Sequence, residues 1–236
     1  MMANVKSAPR APSRPMPRLY LATPEVEDPS PLVSSLPVLL AGADVAAVLL
    51  KLKMTDQRTM ISRVKALAPA IQNAGAALLL DGQDLNNNFE LVARAGADGA
   101  HVSGLAALEE ALPTLKPDRI AGVGGLVTRH DSMTSGEKGA DYVLFGEPDA
   151  KGKRPSVEAI AERLDWWAEL FEPPCVAYAA SRDEAYEFVL AGADFVLVGD
   201  AVWADPRGAS AALADFGQAI RQAHAAVREA AKAQQV

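Results

Sequence analysis

The chain has 236 residues, half of them hydrophobic and 22% charged, a composition that excludes a disordered or collagen-like protein. Its 23 Lys and Arg against 30 Asp and Glu leave a formal net charge of -7, so neither nucleic acid nor an anionic membrane surface is an expected partner. One cysteine, Cys175, permits no internal disulfide and points to a reducing cytoplasm, and no apolar run approaches the ~20 residues of a membrane span.

Met1 to Pro17 is rich in Pro, Ser, Ala and Arg without an apolar period, and reads as a flexible, disordered tail. From Arg18 onward short apolar runs alternate with helical patterns. The runs are Leu19–Ala22, Val45–Leu50, Ala76–Leu80, Gly99–Val102, Ile120–Val123, Tyr142–Phe145, Cys175–Tyr178 and Phe195–Val198. Each is short enough for a strand buried on both faces, as parallel sheets require. Helical spacing runs through Met60–Gln72, Leu85–Arg94, Val157–Glu169 and the Ala-rich Ala209–Lys232. Eight strands alternating with helices fit either a barrel or a doubly wound sheet.

An internal repeat favours the barrel. Ala41-Gly42-Ala43-Asp44 recurs as Ala95-Gly96-Ala97-Asp98 and Ala191-Gly192-Ala193-Asp194, with Lys138-Gly139-Ala140-Asp141 as a variant. The glycine suits a left-handed helix cap and the Asp leads into a strand. The copies precede the second, fourth, sixth and eighth strands. A unit of two strands and two helices, taken four times, predicts one α/β domain over residues 18–236, a single (β/α)8 TIM barrel.

In such barrels chemistry collects where strands end. Lys51 and Lys53 share a period-2 face and should converge on one side, either at the mouth around an anionic ligand or with one of them snorkelling to solvent. Lys151, Lys153 and Arg154 flank Gly152 as a basic loop able to close over phosphate, or as a solvated charge run. Asp81 follows a strand and suits Mg2+ or a helix N-cap, a task Asp84 shares. His101, ending strand four, is a titrating group or a hydrogen-bonded core imidazole. Ser181 begins a capping box at loop seven, where a helix N-terminus also suits phosphate. Strand eight ends at Gly199-Asp200. Trp166, Trp167 and Phe171 belong to core or to a homo-oligomer interface.

Arg18-Leu19-Tyr20-Leu21-Ala22-Thr23-Pro24, Leu80-Asp81-Gly82-Gln83-Asp84-Leu85, Gly96-Ala97-Asp98-Gly99-Ala100-His101, Gly139-Ala140-Asp141-Tyr142-Val143-Leu144-Phe145-Gly146 and Ala191-Gly192-Ala193-Asp194 follow one another in an order that resembles thiamine-phosphate synthase, from about Arg18 to Ala212. The resemblance implies a (β/α)8 barrel that joins hydroxymethylpyrimidine pyrophosphate to thiazole phosphate with Mg2+ and releases pyrophosphate. It implies that Asp81 binds Mg2+ and that Lys53 binds pyrophosphate. Lys51 stands in place of an arginine, and Lys153 takes a loop-six lysine's place. Phosphorylated small molecules are the implied partners.

The same resemblance marks departures. Leu49 replaces a glutamine that contacts the pyrimidine, Ala106 a second metal aspartate, and Gly124 a serine that binds pyrophosphate. Ala179-Ala180 replaces paired glycines that offer amides to thiazole phosphate, and Asp200 stands near a serine that helps it. Glu147 or Asp149 is a candidate substitute for the missing metal carboxylate. The implied activity is therefore a weakened synthase. The alternatives are a paralogue that binds a phosphorylated small molecule without condensing it, or a thiazole tautomerase-like protein.

Overall fold

Strand β1 (Arg18–Ala22) pairs in parallel with β2 (Val45–Leu50) on one side and with β8 (Phe195–Val198) on the other, which closes the sheet on itself. The computed structural model describes residues 14–149 and 151–233. Between those strands run β3 (Ala77–Asp81), β4 (Gly99–Ser103), β5 (Ile120–Gly124), β6 (Tyr142–Phe145) and β7 (Cys175–Tyr178), each hydrogen-bonded in parallel to its sequence neighbours. The connecting helices are α1 (Ser30–Ala41), α2 (Gln57–Gln72), α3 (Glu90–Ala95), α4 (Leu105–Leu115), α5 (Arg129–Glu137), α6 (Val157–Leu170) and α7 (Arg182–Leu190). A four-residue helix α8 (Asp200–Trp203) and the long α9 (Ala209–Ala233) complete the (β/α)8 barrel.

The Gly–Asp repeat has a mechanical meaning. Asp98, Asp141 and Asp194 stand at the feet of β4, β6 and β8, and each carboxylate accepts the backbone N–H at the foot of the preceding strand. The donors are Leu78 (2.7 Å), Ala121 (2.7 Å) and Cys175 (2.9 Å). Asp44, at the foot of β2, instead pairs with the Arg18 guanidinium on β1 at 2.7 Å. Each copy thus stitches an even strand to its odd neighbour at the barrel bottom. Gly96, Gly139 and Gly192 adopt the left-handed backbone with φ of 78°, 99° and 94°, whereas Gly42 closes α1 at φ -89°.

One expectation is corrected here. The helix expected over Leu85–Arg94 is a 3-10 turn (Gly82–Leu85) followed by the shorter α3, because Asn86 and Asn87 take left-handed backbone and break the pattern. Of the expected tail, residues 1–13 lie outside the described residues. Arg14 is docked on the barrel, its guanidinium donating to the carbonyls of Gly192 and Ala168. Trp167 is fully buried, stacks on Phe171 with ring centres 4.3 Å apart, and donates its indole N–H to Pro173 O at 2.7 Å. Trp166 packs edge-on to both and carries Arg129 over its ring, so the cluster serves packing within one chain.

Candidate active site

Side chains alternate across each strand, so every second residue points into the barrel. Tyr20, Ala22, Leu49, Leu79, Tyr142, Leu144, Val176 and Leu197 fill the interior as a buried cluster separate from the core between sheet and helices. Above it, at the carboxyl ends of the strands, opens a cavity of about 780 Å3. Its apolar floor includes Ala22, Leu49, Leu144 and Leu197. Asp81, His101 and Glu147 line one side, and Lys51, Lys153, Arg154 and Arg163 bring four cations to the wall.

A buried hydrogen-bond chain runs beneath. Tyr20 Oη lies 3.0 Å from Tyr142 Oη, which lies 3.0 Å from His101 Nδ1. His101 Nε2 lies 3.3 Å from Glu147 Oε2. Burial drives the Tyr20 and Tyr142 hydroxyls well above the ordinary tyrosine range, so both act as hydroxyls. Strand β5 makes room for this chain by lacking side chains. A Cβ on Gly122 would stand 1.9 Å from the Tyr142 ring, and one on Gly124 would stand 2.3 Å from Glu147 Oε1.

Arg154 is a staple. Its Nε donates to Gly146 O at 2.7 Å, its Nη2 to Tyr178 O at 2.9 Å, and its two terminal nitrogens grip Glu184 at 2.9 and 3.3 Å. Arg163 donates to the carbonyls of Leu126 and Val127 at 3.0 Å each and holds loop five. Asp84 accepts the Leu52 N–H at 2.6 Å, and burial pushes its carboxyl up to about 6.

Of the site residues expected from sequence, Lys51, Asp81 and Lys153 line the cavity together. Lys53 does not. Strand β2 ends at Leu50, and a parallel bridge between Leu52 and Val26 turns the chain so that Lys53 Nζ meets Glu27 at 2.8 Å. Of the two arrangements expected for Lys51 and Lys53, the geometry is the one with a lysine at the solvent rim, because the period-2 rule ends with the strand. Lys151 is exposed and outside the cavity wall. The loop around it is held rather than free: the Asp149 carboxylate accepts the N–H groups of Lys151 and Lys153, each at 2.9 Å.

In loop seven one backbone donor and the Ser181 hydroxyl oxygen are engaged inside the protein. Ala180 N–H donates to Glu184 Oε2 at 2.8 Å, and the Ser181 hydroxyl caps the Glu184 N–H at 3.2 Å. Gly199 caps the short α8 against Ala22, outside the cavity wall. Gly124 lies behind Glu147. Sequence reasoning missed the tyrosine chain and the Arg154–Glu184 clamp. The inward period of Tyr20 and Tyr142 was the available signal, since a hydroxyl inside an apolar strand needs a polar partner.

The donors suit Mg2+, which takes one or two carboxylates and completes its shell with water and substrate phosphates. Asp81 Oδ1 accepts the Gln83 N–H at 3.1 Å, which leaves Oδ2 for an ion. Among the described residues no group of three or more His, Cys, Asp or Glu assembles, so an all-protein metal cage is absent there. No helix among the described residues is long and apolar enough to cross a membrane.

Three comparisons bear on this geometry. Residues 19–202 match the family model described as thiamine monophosphate synthase. A thiamine-phosphate synthase of Rhodospirillum centenum is 40% identical over 212 residues, covering 86% of this chain and 98% of its own, and one of Hyphomonas neptunium is 35% identical with 86% and 93% covered. Thiamine phosphate pyrophosphorylase from Pyrococcus furiosus superposes with a TM-score of 0.68 at 21% identity, covering 87% of this chain and 96% of that one, a likeness of fold. The 3-hexulose-6-phosphate synthase of Salmonella typhimurium shares that fold at 13% identity with a TM-score of 0.66, over 87% and all of the respective chains. A match that spans the barrel from β1 to α8, together with full-length relatives at this identity, places the chain in the thiamine-phosphate synthase family.

Proposed function

We propose that the protein condenses hydroxymethylpyrimidine pyrophosphate with thiazole phosphate to give thiamine phosphate and pyrophosphate. In that reaction the bond between the pyrimidine methylene carbon and the pyrophosphate oxygen breaks, its electron pair leaving with the pyrophosphate. The thiazole nitrogen then supplies the pair for the new carbon–nitrogen bond. No nucleophilic side chain is needed; the site must bind a leaving anion, seat an apolar ring and keep water away.

The observation that carries this reading is the grouping of Lys51, Lys153 and Asp81 around an apolar-floored cavity at the strand ends. Lys51 and Lys153 would take the pyrophosphate oxygens as point charges. Lys53 would reach the same anion only by giving up its pair with Glu27 at the rim. Asp81 would hold Mg2+ through its free oxygen, and the ion would neutralise charge on the leaving group. Ala180 would act only after its N–H leaves Glu184, and Lys151 only if its loop moves toward the cavity; Gly124, Ser181 and Gly199 would stand at the margin of the phosphate site. The setting of this reading is the cytoplasm.

The test is incubation of folded protein with both substrates and Mg2+, with thiamine phosphate resolved by chromatography. Product that vanishes on chelation supports the assignment. Absence of product above background, with the fold verified by circular dichroism, rejects it.

A further inference from the structure

Glu147 reaches into the cavity from the loop after β6, and Gly124 of the adjoining strand admits it, since a Cβ there would lie 2.3 Å from Oε1. Oε2 is held by His101 at 3.3 Å, and the His101 side chain is only 5% exposed. Each polar side chain of the buried chain has a partner. A carboxylate only accepts, so Nε2 donates to Glu147, and the chain continues from Nδ1 through the Tyr142 hydroxyl to that of Tyr20. No buried side-chain donor or acceptor among the described residues is left without a partner.

What the chain does leave over is acceptor capacity. A carboxylate offers about four lone-pair sites, and His101 uses one. Among the described residues no Lys or Arg pairs with Glu147. On the opposite wall, β2 presents Leu49, which cannot hydrogen-bond. A flat ring resting on Leu49, Leu144 and Leu197 with its anionic tail toward Lys51 and Lys153 would meet the Glu147 carboxylate on the wall opposite Leu49.

We propose that Glu147 determines ring specificity by accepting a hydrogen bond from the exocyclic amine of an aminated heteroaromatic substrate. The proposal rests on the function assigned above, in which that ring is an aminopyrimidine. The same negative charge faces the ring as positive charge develops there on departure of the leaving group, which an uncharged acceptor would not match.

Equilibrium binding separates this proposal from the reaction itself. Calorimetry is run with 4-amino-5-hydroxymethyl-2-methylpyrimidine and with the same ring lacking the amine, against wild type, Glu147→Gln and Gly124→Ala. The wild type is expected to prefer the amine by about tenfold or more, the range of a hydrogen bond to a charged group. Glu147→Gln keeps the side-chain shape and is expected to bring the two affinities within about threefold of each other, the worth of a neutral hydrogen bond. Gly124→Ala, which displaces the carboxylate, should do the same. A wild type that binds neither ring rejects the assigned function. A wild type without preference overturns the role of Glu147, as does a Glu147→Gln variant that keeps the preference or weakens both rings equally.

Discussion

The guanidinium of Arg154 and the carboxylate of Glu184 face each other in parallel, nitrogen to oxygen at 2.9 and 3.3 Å, across 30 residues of sequence. Because Arg154 also binds Gly146 O and Tyr178 O, this one pair ties loop six, the end of β7 and α7 together. Both side chains are under a fifth exposed, so removing one partner strands the other in a partly dry place. Glu184→Gln is expected to lower unfolding stability by about 1.5–3 kcal/mol in urea titrations. It should also raise KM for the pyrophosphate substrate, because neighbouring Lys153 loses its footing. Arg154→Lys should follow it, since an ammonium cannot form the fork. Unchanged midpoints and unchanged KM in both variants would reduce the pair to decoration.

Lys51 and Lys53 make a matched contrast. Lys51 lines the cavity; Lys53 sits at the rim, paired to Glu27 with half its side chain exposed. Loss of one positioned donor to a developing anion costs about 2.7–4 kcal/mol, a rate factor of roughly 10²–10³. Lys51→Ala should lose that much in kcat/KM, while Lys53→Ala should lose about threefold or less. Equal losses would show that Lys53 leaves Glu27 and joins the site.

The strands were legible because each is buried on both faces and so must be a short apolar run, and six of the eight observed strands begin at the residue where their run begins. The repeat was legible because each Asp has a fixed task at a strand foot. Side-chain direction beyond a strand end was not: nothing near Lys53 in sequence announces the Val26–Leu52 bridge that turns it. Nor could residue order reveal partners at long range. Arg154 read as a solvated or phosphate-closing cation because its carboxylate lies on α7, and Gly124 read as a lost serine because the group filling its space comes from the next loop.

Asp84 predicts a pH signature. Burial holds its carboxyl at about 6 in the fold, against an ordinary value near 4, although the Leu52 N–H pulls the other way. A raised acid binds its proton more tightly when folded, so its contribution is complete below about pH 4, fades as pH climbs to about 6, and is flat above. Asp84→Asn keeps an oxygen for Leu52 and cannot ionise. Unfolding measured at pH 4, 5, 6 and 7 should show the variant gaining on the wild type across that window and holding its lead afterwards. A wild type that gains on the variant instead would have the sign reversed and would mean that Lys51, the cation nearest in the balance, outweighs burial.

Gly122 and Tyr142 stand directly opposite each other in the β5–β6 register, and the phenol ring occupies the space a β-carbon would need at 1.9 Å. Gly122→Ala must push the ring or the strand aside, and the ring is fixed at its far end by Tyr20 and His101. Overpacking of this kind costs about 1–3 kcal/mol. Tyr142→Ala empties the same space and should cost about 3–5 kcal/mol, the range for large-to-small aromatic changes. If the ring and the missing methyl compete for one volume, the double variant must be more stable than the two losses added together. A double-mutant cycle in urea should then return a favourable coupling of ~0.5–3 kcal/mol. Strict additivity would mean that the barrel floor yields elsewhere, and that Gly122 is small for a reason unconnected with the tyrosine opposite it.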